Sequence, residues 1–162
     1  MSTLFVDTIN EKTSGNGVAI PGHPVQIVTA DIGGAPVTTT SSSSVTSNKS
    51  ATITPKYSNS KIIIHVTLGD VANTNCHAGT GVAIRRGTTL LANLTSRHSY
   101  NAPGGGVANG LGIAGYTGVW FDSPSTTSAT TYTVYFDNGG AGTATLFRDN
   151  TDGCIILTEV AQ

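Results

Sequence analysis

Apolar and polar residues alternate most cleanly between Lys61 and Leu68. Ile62, Ile64, Val66 and Leu68 fall on one face. Lys61, His65 and Thr67 fall on the other, with Ile63 the one apolar exception. A period of two predicts a strand with one face in water, and the β-branched side chains favour strand over helix. Just upstream, the residues from Ala51 to the turn read as a second strand. Pro55, Ser58, Asn59 and Ser60 predict the turn between them, because Pro fixes φ and Asn and Ser bond their own backbone. Residues 51–68 therefore read as strand, turn, strand.

The same pattern recurs along the chain. Val25–Thr29 predicts the first strand of the body, and Asp31–Pro36 a turn-rich break. Thr38–Ser50 reads equally as a serine-rich linker or as an exposed edge strand. Asp70–Gly79 predicts a polar loop. Gly81–Arg86 and Leu90–Leu94 predict strands joined at Gly87 and Thr88. Arg97–Gly112 is the longest irregular stretch, and a glycine-rich loop of that length is often functional. Ala114–Asp122, Thr131–Asp137, Gly142–Phe147 and Cys154–Val160 predict the remaining strands, separated by Asp122–Ser125, Asn138–Gly140 and Asp149–Gly153. Roughly eight to ten short strands with no helix predict an all-β domain, a β-sandwich or jelly roll. In the last strand Ile155 and Leu157 face one way and Cys154 and Ile156 the other. Such a strand is buried on both faces, either at the centre of a sheet or against a second subunit.

Residues 1–23 differ from the rest. Leu4, Phe5, Val6 and Ile9 form a short apolar segment, followed by a turn at residues 14–17. The segment is too short to bury itself, so packing against another chain is expected. Residues 24–162 are the expected sandwich domain.

Composition narrows the function classes. Of the 162 residues 10% are charged, against about 25% in ordinary domains. Ser and Thr together number 41, and Gly 20. Disorder needs low hydrophobicity and high net charge, whereas 38% of this chain is apolar and its net charge is −1. Hydroxyls and amides must solvate the surface. The charge gives no basis for nucleic-acid binding, Arg85 and Arg86 being the only basic pair. No apolar run reaches about 18 residues, so no membrane insertion is expected. MSTLFVDTINEK lacks the basic start and apolar core of a signal peptide, which predicts synthesis in a cytoplasm. Two cysteines do not make a disulfide framework; Cys154 is expected to be a buried structural thiol. Cys76 and His77, adjacent on an extended chain, would point apart and do not suggest a metal site.

Catalytic motifs fail on context. Residues 110–115 match GxGxxG, but strand material follows where a helix is required. Asp149–Gly153 has the wrong spacing for a calcium loop. There is no GxSxG, and His23, His65, His77 and His98 have no evident nucleophile. Asn48 and Asn93 begin glycosylation sequons that are meaningless without export. No cofactor, metal or catalytic residue is expected. The best binding candidates are Tyr100, Asn101 and Trp120, in or near the long loop; an aromatic face beside an amide suits a sugar ring. Core packing is the competing expectation for Trp120 and Tyr116.

Four segments carry a family likeness: TLFVDTINEKTSGNGVAIPG, ATITPKYSNSKIIIHVTL, FDSPSTTSATTYTVYF and CIILTEVA. In order and spacing the chain resembles the tail-fibre and related virion fibre proteins of tailed phages, especially those of marine and cyanobacterial hosts. The resemblance implies a short N-terminal attachment segment, a C-terminal β-sandwich, a homotrimer, exposure on the particle and a role in host contact. It implies no catalytic residue. On that basis Leu4, Phe5, Val6 and Ile9 would dock on other virion proteins or sister chains. Ile155 and Leu157 would line the subunit interface. Tyr100, Asn101 and Trp120 would meet a host-surface glycan. The chain is short for a complete tail fibre, so a head fibre or capsid decoration protein, or a carbohydrate-binding module, are the alternatives.

Overall fold

A computed structural model describes residues 8–10, 15, 17–18, 20–74, 78–100, 112–140 and 142–162. Among them ten strands and no helix follow in chain order. They are β1 (Pro24–Asp31), β2 (Val37–Thr39), β3 (Val45–Ile53), β4 (Lys61–Asn73) and β5 (Thr80–Arg86). Then come β6 (Thr89–His98), β7 (Gly112–Asp122), β8 (Thr130–Asn138), β9 (Ala144–Leu146) and β10 (Gly153–Val160).

All pairing is antiparallel, and the main partners nest: β5 with β6, β4 with β7, β3 with β8, β1 with β10. The chain is thus one long hairpin rolled on itself, the jelly-roll arrangement of two packed sheets. The first sheet runs β1-β10-β4, with β7 on the far side of β4. Where β10 leaves β4, at Leu68, β9 takes over on Val71–Asn73 and β2 pairs with β9. The second sheet runs β3-β8-β5-β6.

The core lies between the sheets. Ile62, Ile64, Val66 and Leu68 of β4 meet Tyr132, Val134 and Phe136 of β8, Ile84 of β5 and Ile53 of β3 in one buried cluster. Each buried side chain of this size contributes about 1.5–3 kcal/mol. Ile155 and Leu157 belong to this cluster and are 0% exposed within the single chain. The expectation that they line a subunit interface is therefore corrected. β10 is central, between β1 and β4, and its Ile155 face is the inner one. Its other face, Cys154, Ile156, Thr158 and Val160, is half-buried. The buried thiol expected at Cys154 is corrected for the same reason: it is a half-exposed cysteine on the outer face.

Three element boundaries also differ from expectation. β4 does not end at Asp70 but continues to Asn73 through a bulge between Leu68 and Val71. The bulge is held by bonds from the Asp70 N–H to Thr151 Oγ1 (2.9 Å) and from the Phe147 N–H to the Asp70 carbonyl (2.6 Å). β6 likewise runs to His98, into the stretch expected to be irregular. The serine run divides into a tight turn and a strand. Ser41 Oγ donates to the Ser43 carbonyl and accepts from the Ser43 N–H, and β3 then forms an edge of the second sheet.

Candidate interaction surfaces

The sandwich has two unlike ends. At one, bonds run from Thr74 N–H to the Thr143 carbonyl and from Gly139 N–H to the Gly79 carbonyl. Beneath them the buried Asn73 amide donates to Asn138 Oδ1 (3.0 Å) and Thr80 Oγ1 to the Ala72 carbonyl (3.0 Å). Both flanks of the 99–111 connection arrive here, because His98 pairs with Thr80 and Gly112 with Asn73. The other end holds turns 54–60, 87–88 and 123–129 and the approach to β1. The 13-residue β4 runs between the two ends, roughly 40 Å at the rise of an extended chain.

The second end is fastened by a buried carboxylate. Glu159 is 0% exposed. Its Oε1 accepts from Ser60 Oγ (2.6 Å), Lys56 N (2.8 Å) and Tyr57 N (3.1 Å), and its Oε2 from Gln26 Nε2 (2.6 Å). Burial pushes its pKa up, but the hydroxyl, the amide and the two backbone donors together pull it below the ordinary glutamate value. One charge thus joins β1, the 54–60 turn and β10. Nearby, the Gly22 N–H donates to the Ala161 carbonyl, the Ala161 N–H to the His23 carbonyl, and Tyr57 Oη to the Gly17 carbonyl. These bonds hold the approach to β1 against the sandwich.

The two outer faces are also unlike. On the second sheet Thr131, Thr133, Tyr135 and Asp137 alternate with the buried β8 residues. Thr131 shares a hydroxyl contact of 2.7 Å with Thr52, and the Arg85 guanidinium lies 4.6 Å from the Tyr135 ring centre. Burial raises the Asp137 pKa, opposed by the Gly81 N–H. This face is hydroxyl-rich and polar. On the first sheet, register sets Ile27, Thr158, Ile63 and Phe121 in one row and Thr29, Ile156, His65 and Val119 in the next. Ile27 is 61% exposed, Val119 and Phe121 each 56%, and Ile63 37%. The His65 Nε2 among them is shielded from water and has no hydrogen-bond partner among the described residues.

Of the residues singled out in the sequence, Leu4, Phe5, Val6 and Asn101 lie outside the described residues, as do Cys76 and His77. Ile9 is exposed. Tyr100 is exposed at the loop end, with the Arg97 guanidinium 5.5 Å from its ring centre; Ser99 beside it donates to the Val71 carbonyl. Trp120 pairs with Ile64, mid-sheet. It occupies an inward position but stays 39% exposed because β7 is at the sheet edge, and it stacks on Phe121 at 5.3 Å. Seven residues of β4 separate Ile64 from Val71, roughly 20 Å, so Tyr100 and Trp120 do not form one site. Cys154 borders a shallow depression of about 530 Å³ with Asp31, Thr67 and Asp152. No group of three metal-ligating side chains occurs among the described residues. His98 is occupied by the carbonyls of Ala114 and Gly115 and by the edge of Tyr116.

No protein-family model matches the chain, and no curated protein matches it. Among solved structures it is similar to VP2 of infectious bursal disease virus in a subviral particle, at 14% identity and a TM-score of 0.39. That match covers 87% of this chain and 38% of the other. A point mutant of VP2 in derived T=1 particles matches at 15% identity and a TM-score of 0.39, over 98% of this chain and 41% of that one. The chain thus spans about two fifths of the length of those proteins. At this overlap the likeness carries no argument about function.

Proposed function

We propose that this chain is a non-enzymatic fibre protein of a tailed-phage particle, a homotrimer attached through residues 1–23 and reaching the host surface with its loop end. The observation that supports this reading is the polarity of the fold. The approach to β1 is fastened at one end by Glu159, Gly22 and Tyr57. The flanks of the long glycine-rich connection, with Tyr100, stand at the opposite end, roughly 40 Å away. A protein that grips a particle and touches a cell needs that separation. The uncharged, hydroxyl-rich surface fits contact with neutral glycans, and the resemblance of four segments to phage fibres supports this kind of particle.

The test is competition for host cells. Purified protein added before phage should bind the cells and slow adsorption. Replacing residues 101–111 with a short glycine linker, or Tyr100→Ala, should remove both effects while leaving the fold intact. Protein that neither binds nor competes would overturn the host-contact role and favour a head fibre or decoration protein. Competition undiminished by both changes would place recognition elsewhere on the chain.

A further inference from the structure

We propose that the outer face of the first sheet, together with the edge of β7, is the surface on which a second copy of this chain seats. The two outer faces of the sandwich differ in a way that solvation alone does not require. One carries Thr, Ser, Tyr, Arg and Asp. The other exposes Ile63, Val119 and Phe121 together and Ile27 beyond Thr158 in the same row, with Trp120 stacked on Phe121 at the rim. At these exposures the five side chains leave on the order of 500 Å² of apolar surface in water, as large as the biggest patches that monomers expose.

That area suits a protein partner of ordinary size. A standard interface buries about 800 Å² per partner, of which somewhat more than half is apolar. The patch supplies about that much. Its chemistry excludes a glycan as the main occupant, because the exposed rows offer few hydroxyl or amide partners.

The β7 edge identifies the occupant as another copy. Among the described residues β7 pairs with β4 alone; His98 Nε2 meets the Ala114 and Gly115 carbonyls, and from Tyr116 to Phe121 the second edge has no strand partner there. Sheets normally blunt a long apolar edge with Lys, Pro or an inward charge. Gly112–Phe121 contains no charged residue and no proline. Such an edge is complementary to itself, because two copies can approach with no like charges opposed. The nearest cation, Lys61, lies over the Phe121 ring at 5.1 Å and must swing aside to water when a second copy seats. Whether β7 meets its own copy across a twofold or lies on the outer face of the next copy in a ring of three, the same side chains leave water. The proposal refines the self-association part of the functional reading and does not depend on attachment to a particle.

Light scattering coupled to size-exclusion chromatography tests it. The wild-type chain should have two or three times the mass of one chain. Phe121→Asp should lower that to a single chain with an unchanged circular-dichroism spectrum. Ile27→Asp, at the far side of the patch, should do the same and serves if the first variant does not fold. Thr133→Asp on the polar face should leave the mass unchanged. A wild-type monomer would overturn both this surface and the homotrimer. An oligomer that survives Phe121→Asp and Ile27→Asp would overturn the surface alone.

Discussion

The Glu159 carboxylate makes the most quantitative prediction. It is the one fully buried acid among the described residues, and from β10 it satisfies donors of two separate segments, β1 and the 54–60 turn. In Glu159→Ala the N–H groups of Lys56 and Tyr57, the Ser60 hydroxyl and the Gln26 amide lose their common acceptor. Each buried donor left unsatisfied costs about 1–3 kcal/mol. Water admitted to the new space recovers part of this, so the net loss should be about 3–5 kcal/mol, as for breaking other buried charged contacts. Glu159→Gln keeps one acceptor oxygen for Ser60, Lys56 and Tyr57. It sets an amide N–H₂ against that of Gln26, which is also committed to the Thr54 carbonyl (2.7 Å). Its loss should be smaller, about 1–2 kcal/mol.

The pH dependence follows from the direction of the shift. The folded-state pKa of Glu159 lies below its unfolded value. Its contribution is therefore fully present above the unfolded value, near pH 4 to 5, and is lost as pH falls through the lower folded value. Asp137 has the opposite sign: its raised pKa costs stability as pH rises through the folded value. The difference between wild type and Glu159→Gln isolates Glu159. Urea unfolding of both at pH 7 and across the acid range is the assay. The gap between the two curves should be widest at neutral pH and shrink below about pH 4. A gap independent of pH, or Glu159→Ala within about 0.5 kcal/mol of wild type, would refute the assignment of Glu159 as the fastening of that end.

Leu157→Ala should cost about 2–5 kcal/mol through the cavity it leaves, seen as a lower urea midpoint at every protein concentration; a loss only on dilution would restore Leu157 to a subunit interface. Gly153→Ala should be strongly destabilising, because an added Cβ would stand 2.6 Å from the Phe147 ring and 2.7 Å from the Thr67 carbonyl; an unchanged thermal midpoint would contradict that packing. Tyr132→Phe removes the 2.9 Å bond to Asp122, which keeps its 3.2 Å contact with Arg86. Its cost should be about 1 kcal/mol by urea unfolding, and a loss several times larger would mean that Asp122 depends on the phenol. In a Cys76→Ala background, Cys154 should react with a thiol reagent in the folded protein; reaction only after unfolding would return it to the core.

The sequence made the strand faces visible wherever alternation was strict. In β4 and β8 every second residue is apolar, and those residues form the core. It did not make the pairing visible, because nested antiparallel partners lie as far apart as Pro24 and Val160 and no local signal joins them. β10 shows the cost. Apolar residues occupy both of its faces, and only the registers with β1 and β4 reveal that Ile155 and Leu157 point inward. The bulge at Gly69 and Asp70 hid the last turnless stretch of β4, since a Gly-Asp pair reads as a strand end until Thr151 and Phe147 are seen to hold it. The exposed apolar face left one trace, Ile63 on the wet side of an otherwise regular strand. Phe121 and Val119 become its neighbours, and Ile27 joins its row across Thr158, only through the registers. Tyr100 was legible as an exposed loop aromatic. Trp120 was not placed, because its exposure follows from β7 being an edge strand.

Gold labelling of intact phage particles with an antibody to this chain, viewed by electron microscopy, shows whether the chain is a fibre protein and where on the particle it sits. Label is expected on the tail fibres or tail tip, with an antibody against residues 101–111 binding and one against residues 1–23 excluded. Label on the head would convert the protein to a head fibre or decoration protein, and the absence of label from every particle would contradict the virion assignment itself.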